Sequence, residues 1–186
     1  EFTLIINKLI ELQKAGIRIH LSEGNHDFFL REYFHDVLGM EVFEEWADVK
    51  LDKIRALVGH GDTADKANLA YLLFRKILRS RLFYHFQRFI PARVLWTIAN
   101  FSSAASKEMT REDGDVLVDK MLSFAVDKFQ DGYDAVIVGH CHQPVLRHYT
   151  VDGKKKTFVA LGDWISHYSF LYYEKRNFVL GYYRKS

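Results

Sequence analysis

The chain has 186 residues, 48% of them hydrophobic, 27% charged and 15% aromatic, with 2 Pro and one Cys. Those proportions exclude a disordered, collagen-like or disulfide-built chain, and 26 Lys+Arg against 24 Asp+Glu leave a net charge of only +2. Cys141 has no partner for a disulfide, and no run approaches the roughly 18–20 apolar residues of a membrane span, so a soluble, cytoplasmic protein with one core is expected.

Leu4, Ile5, Leu9 and Leu12 recur at helical spacing and reach Gly16, a helix stop. Ile17 to Leu21 reads as a short strand leaving into Ser22-Glu23-Gly24-Asn25-His26-Asp27, and Phe28 to Leu38 reads as a helix closed by Gly39. Ile54 to Val58 is a second strand, leaving into Gly59-His60-Gly61-Asp62. From Asp65 to about Phe129 the pattern is helical, with breaks near Arg79 to Arg81, at Pro91 and around Ser102 to Ser106. Ala135 to Val138 is a third buried strand, leaving into Gly139-His140-Cys141-His142. Strands follow at Val145 to Thr150, Thr157 to Leu161, Tyr168 to Tyr173 and Phe178 to Tyr183, the first two joined by an Asp152-Gly153 hairpin turn.

Charge is unevenly spread. Lys66 to Lys107 holds eight cations and no carboxylate, interleaved with Tyr71, Phe74, Phe83, Tyr84, Phe86, Phe89, Trp96 and Phe101, which leaves −6 for the rest of the chain. Three strands each end in a loop bearing Gly and His, and such strand ends are where open α/β sheets gather ligands. Their side chains, Asn25, His26, Asp27, His60, Asp62, His140 and His142, suit a transition metal or Mn²⁺. A single histidine is more often structural than a ligand, and His20, His35, His85, His148 and His167 are read that way. Three such loops in succession are much harder to reach by accident. Gly59 and Gly139 each precede a His and allow a close backbone approach.

Gly24-Asn25-His26-Asp27, Gly59-His60 and Gly139-His140-Cys141-His142 resemble, in order, the last three motifs of the calcineurin-like metallophosphoesterases. The resemblance implies an α/β fold, a four-layer β-sandwich flanked by helices. It also implies two divalent metal ions, most naturally Mn²⁺, with Asn25, His60 and His140 on one and His142 on the other. His26 would be catalytic, contacting the scissile phosphate and easing departure of the leaving oxygen, and Asp27 and Asp62 would orient ligands. The family's opening DxH and GDxxD motifs have no counterpart before Asn25, so an N-terminally truncated domain over residues 1–186 is expected. Cys141 sits at the variable position of the last motif and is not read as a nucleophile.

The 79 residues between His60 and His140 resemble the helical lid of UDP-2,3-diacylglucosamine hydrolases, an insertion over about 65–112. His60-Gly61-Asp62-Thr63 with Asp65, Phe74-Arg75-Lys76 and Ser106-Lys107 match segments of that family, although His26 stands where many of its members have Arg and Ala104 where Asn is usual. By this resemblance Asn25, His26, Asp65, Lys107 and His140 would touch a lipid-nucleotide substrate. The basic, aromatic lid would meet an anionic inner-membrane surface, giving a peripheral cytoplasmic protein. Nucleic acid is not an expected partner, and a free sheet edge would favour a homo-oligomer. Two other readings stand beside this one: a phosphodiesterase or phosphatase for another lipid or nucleotide, and a metal-free scaffold on the same fold.

Overall fold

The computed structural model describes residues 2–87, 89–91, 93–94 and 114–183. Lys107, Ser106 and Ala104 lie outside the described residues.

The first helix, α1 (Phe2–Lys14), ends as its Gly predicts. Gly16 takes φ +87°, its N–H donates to Gln13 O (2.9 Å) and Ile17 N–H to Leu12 O (3.1 Å), a Schellman closure of two orphan carbonyls. β1 (His20–Ser22) then pairs in parallel with β2 (Glu41–Phe43). Where periodicity predicts a helix over Phe28–Leu38, only Arg31–His35 is helical, as a single π turn. The cause is tertiary: the Leu30 N–H donates to the buried Glu23 carboxylate at 2.7 Å, and Phe29 is held at φ +63°. A helix cannot begin before that anchor.

The centre is a five-stranded mixed sheet in the order β3 (Ala47–Leu51), β4 (Ile54–Gly59), β5 (Ala135–Val138), β7 (Lys154–Leu161), β6 (Pro144–Val151). β4, β5 and β7 run parallel, and β3 and β6 close the edges antiparallel. All four residues of β5 are buried, as a central parallel strand requires. One face is covered by α4 (Gly114–Gln130), whose Val118, Met121, Phe124, Ala125 and Phe129 recur on one stripe and pack on Leu57, Val136, Val138, Phe158 and Ala160. The other face takes the hairpin β8 (Ser169–Glu174) and β9 (Asn177–Tyr182), whose Phe178 joins Ala56, Ala135, Ile137 and Val159. The architecture is α/β, with helix, sheet and hairpin in layers.

Two short helices, α2 (Leu69–Leu78) and α3 (Arg81–Gln87), occupy the described part of the lid and break where expected, at Arg79-Ser80. Asn68 caps α2 by accepting the Tyr71 N–H at 3.1 Å. No helix among the described residues is long and apolar enough to cross a membrane.

Candidate functional site

Because β4 and β5 are adjacent and parallel, their C-terminal exits emerge side by side. The Gly139 N–H donates to His60 O at 2.9 Å, and the His60 and His140 rings meet edge to face with centroids 4.9 Å apart. The β1 exit closes on the same point: a Cβ on Gly24 would stand 2.8 Å from His60 Cδ2, so only glycine lets that loop lie on the imidazole. Beyond Gly24, the half-buried Asn25 approaches His26 (Nδ2 to Nε2, 3.4 Å), and His26 is exposed. The three loops singled out in the sequence are therefore gathered at one place.

The site's electrostatics suit a neutral imidazole at His140. Burial pushes His140 down to about 4, the charges of His60, His142 and His26 push the same way, and Asp62 opposes them. His140 is thus a free-base imidazole at neutral pH, the form that ligates metals. The His60 Nδ1 lies 3.2 Å from the buried Asp62 Oδ1 but outside hydrogen-bond alignment, and it is one of the few buried polar atoms with no hydrogen-bond partner among the described residues. The carboxylate of Asp62 caps no helix. It accepts from Tyr71 Oη (2.7 Å) and Arg75 Nε (2.8 Å), and it is held well below the usual carboxylate range against the cost of burial by His60, Tyr71 and Arg75. Burial and Asp62 push the Tyr71 phenol above its ordinary range, so it stays a donor.

His142 diverges from this pair. Its side chain is 64% exposed, its backbone takes φ +57°, and its Nδ1 faces Asp163 Oδ2 at 3.6 Å. Asp163 accepts the N–H groups of Ile165, Ser166 and His167 on one oxygen and lies 3.2 Å from His167 Nδ1 with the other. Those backbone donors hold it below the usual range. Sequence reading missed Asp163, and His167, read as structural, is its neighbour; the Gly162-Asp163 exit of β7, the third parallel strand of the central sheet, was the available signal. Asp65 accepts the Ala67 N–H (3.0 Å) and pairs with Lys120 (3.0 Å). Asp27 is exposed. Cys141 is buried, and burial pushes its thiol up, away from nucleophilic use.

Two expectations are corrected. Gly59 serves packing rather than ligand approach, since a Cβ there would fall 2.7 Å from Trp46 Cε3. The lid cations Arg75 and Arg79 point inward instead of offering charge to a ligand. Arg75, 8% exposed, bridges Asp62 and Glu45 (2.6 Å), and Arg79 bonds the buried Glu23 (2.9 Å), Glu44 O and Gly24 O, with Phe28 under its guanidinium. Burial raises the Glu23 carboxyl even so, with the Leu30 N–H and Arg79 opposing. Conversely Leu69, Leu73, Phe74 and Ile77, which amphipathicity would bury, are 52–73% exposed. A cleft of about 750 Å³, lined by Glu23, Glu44, Arg75, Arg79 and Tyr84 among others, separates lid from body.

The donor chemistry admits one divalent ion in part. His60 and His140 stand together with the Gly24 loop, which carries Asn25, packed on His60, but no three His, Cys, Asp or Glu side chains converge among the described residues.

No protein-family model matches the chain. It is 28% identical over 162 residues to the UDP-2,3-diacylglucosamine hydrolase of Pseudomonas putida strain F1, covering 86% of this chain and 67% of that protein. To the enzyme of the same name from Aliivibrio fischeri strain MJ11 it is 29% identical over 179 residues, 95% of this chain and 74% of the relative. This chain is similar to UDP-2,3-diacylglucosamine hydrolases. It spans about two thirds of the length of these relatives, falling to 64% for that of Nitrosococcus oceani. A solved archaeal phosphodiesterase superposes with a TM-score of 0.46 at 15% identity, over 93% of this chain and 73% of its own.

Proposed function

We propose that the chain is a metal-dependent phosphohydrolase. Its substrate would be UDP-2,3-diacylglucosamine, its products UMP and 2,3-diacylglucosamine 1-phosphate. The observation that carries this reading is the packing of the Gly24, His60 and His140 loops on one another in the order the resemblance demands. The likeness to relatives of that name over most of the chain supports it.

In this reading Asn25, His60 and His140 hold one divalent ion, Mn²⁺ by the resemblance, and His142 contributes to a second. Bound metal acts as a Lewis acid on phosphoryl oxygens and activates the attacking water. The chain's residues do the rest. Asp62 aims the His60 ring. His26, exposed at the loop tip, donates toward the oxygen leaving the α-phosphorus, where charge develops as the water O–P bond forms and the bridging P–O bond breaks. The outward apolar face of α2, the described part of the 65–112 lid, would receive acyl chains at about 0.8 kcal/mol per CH₂ removed from water. Lys107, Asp65 and Asp27 remain assigned to substrate contact and orientation on the resemblance alone, as do peripheral membrane contact and self-association.

Release of UMP from UDP-2,3-diacylglucosamine by this chain with Mn²⁺, abolished in His60→Ala and His140→Ala, is the expected result. A second reading, a non-catalytic scaffold, is favoured by one observation: no three-residue His/Cys/Asp/Glu cluster forms among the described residues. Mn²⁺ binding by electron paramagnetic resonance separates the two, since a scaffold would leave the metal's free-ion spectrum unchanged.

A further inference from the structure

At the end of the sheet opposite the histidine loops, three hairpins close with two-residue turns: Asp52-Lys53, Asp152-Gly153 and Lys175-Arg176. Between them lies a cleft of about 270 Å³ lined by Lys53, Lys154, Lys155, Arg176 and His148, with Phe178 in its wall. One carboxylate lines it, Asp134, whose Oδ1 pairs with Lys156 (3.0 Å) and whose Oδ2 accepts the Arg55 N–H (3.0 Å). Among the described residues none of the four lining cations is in an ion pair. Four cations therefore line one small cleft around a single carboxylate, Asp134, whose proton affinity, against the effect of burial, is lowered by the Arg55 N–H, by Lys156 and in part by the charge of Lys154.

The turn that delivers Arg176 is an unexpected choice. Lys175 and Arg176 both sit in the left-handed region, at φ +49° and +66°. Two-residue turns of this kind favour Asn-Gly or Asp-Gly, as Asp152-Gly153 illustrates, because a β-carbon at both positions is strained. Non-glycine residues held in such geometry concentrate at functional sites. Arg176, at the second position of this strained turn, is one of the four cations that line the cleft.

From this we infer a second site, for a phosphate or diphosphate group, separated from the histidine loops by roughly 13 Å of β5. The chemistry that fits is a compact, multiply charged oxyanion. A guanidinium fork and flexible ammonium groups match its tetrahedral oxygens, and a cleft of about 270 Å³ has room for it. This site is independent of the hydrolase reading, and its failure would leave that reading untouched.

His148 supplies a local reporter. Burial and the charge of Lys155 hold its imidazole below the ordinary range, and an anion seated among the lysines reverses the second of these. The experiment titrates the full chain, in EDTA and at constant ionic strength, with sodium pyrophosphate while the His148 ring is followed by NMR. Expected is a saturable shift of its signals and a titration midpoint raised by about half a pH unit or more. Lys154→Ala/Lys155→Ala should weaken binding at least tenfold. Arg176→Gly relieves the turn, so it should weaken binding while raising the melting temperature, which a merely structural role for Arg176 cannot do. A parallel arm sediments the chain with phosphatidylglycerol or phosphatidylcholine vesicles. Phosphatidylglycerol binding that is lost in the double-lysine variant and competed by pyrophosphate identifies a lipid headgroup as the source, and pyrophosphate binding alone identifies a free phosphate. Absence of a saturable His148 response to pyrophosphate, or an equal response in the double-lysine variant, overturns the proposal.

Discussion

Gly59 and Gly139 occupy equivalent places before a histidine, yet their neighbours assign them different work. At Gly59 a Cβ would meet the Trp46 ring at 2.7 Å, and that ring is fixed by a hydrogen bond to Thr63 (3.1 Å) and by stacking on Phe124 (4.7 Å). Gly59→Ala should therefore cost about 1–3 kcal/mol, read as a lower urea midpoint at unchanged m-value. A Cβ on Gly139 comes no nearer than 3.5 Å to any atom, so Gly139→Ala should stay within about 0.5 kcal/mol of the parent. His140 makes a pH prediction. Its folded-state value is about 4, below the unfolded value near 6.5. As pH falls through this window the unfolded chain takes up a proton that the folded chain refuses, so stability falls with acidification. The loss should reach about 2 kcal/mol by pH 5. Denaturation in EDTA at pH 7 and pH 5 measures it, and His140→Asn should flatten the difference.

The lid helix α2 inverts the usual assignment of faces. Its arginines bind the body through Asp62, Glu45 and Glu23, and its leucines and Phe74 face outward. Arg79→Ala would strand the buried Glu23 carboxylate and should destabilise by about 3 kcal/mol in thermal or urea unfolding. Leu73→Glu/Phe74→Glu, on the open face, should leave stability within about 0.5 kcal/mol per residue. If this face receives acyl chains, the same variant should raise KM for the diacylated substrate at least tenfold while leaving hydrolysis of a short, unacylated phosphodiester unchanged. The shortened helix after Phe28 carries a related lesson. Periodicity marks Phe28–Leu38 as helical, but Glu23, in the loop seven residues before Leu30, captures the Leu30 N–H through its buried carboxylate and delays the start, which apolar periodicity does not register. β3, which went unread, shows the alternation Ala47, Val49, Leu51 against Asp48 and Lys50 that would have revealed it.

At the scale of the molecule, the parallel pairing of β4 with β5 brings His60 and His140 together from 79 intervening residues. If these two and Asn25 hold a metal, Mn²⁺ should stabilise the chain by about 2.7 kcal/mol at a hundred times its dissociation constant. EDTA should remove the increment, and His60→Ala/His140→Ala should never show it; thermal unfolding with and without metal measures both. The sequence by itself determined the strands that end in histidine loops, their order and the break between α2 and α3, because these rest on local apolar runs, Gly stops and residue chemistry; the α/β class came with the motifs' resemblance to a known family. Tertiary structure alone decided which way side chains face. It turned Arg75 and Arg79 inward, joined Asp62 to both His60 and Tyr71, drew His142 toward Asp163 and set four cations around one cleft. For Asp62, Arg75 and Glu23 the reason is burial, which makes an unpaired charge too costly to leave; that pairing is a property of the packed chain, not of any window along it.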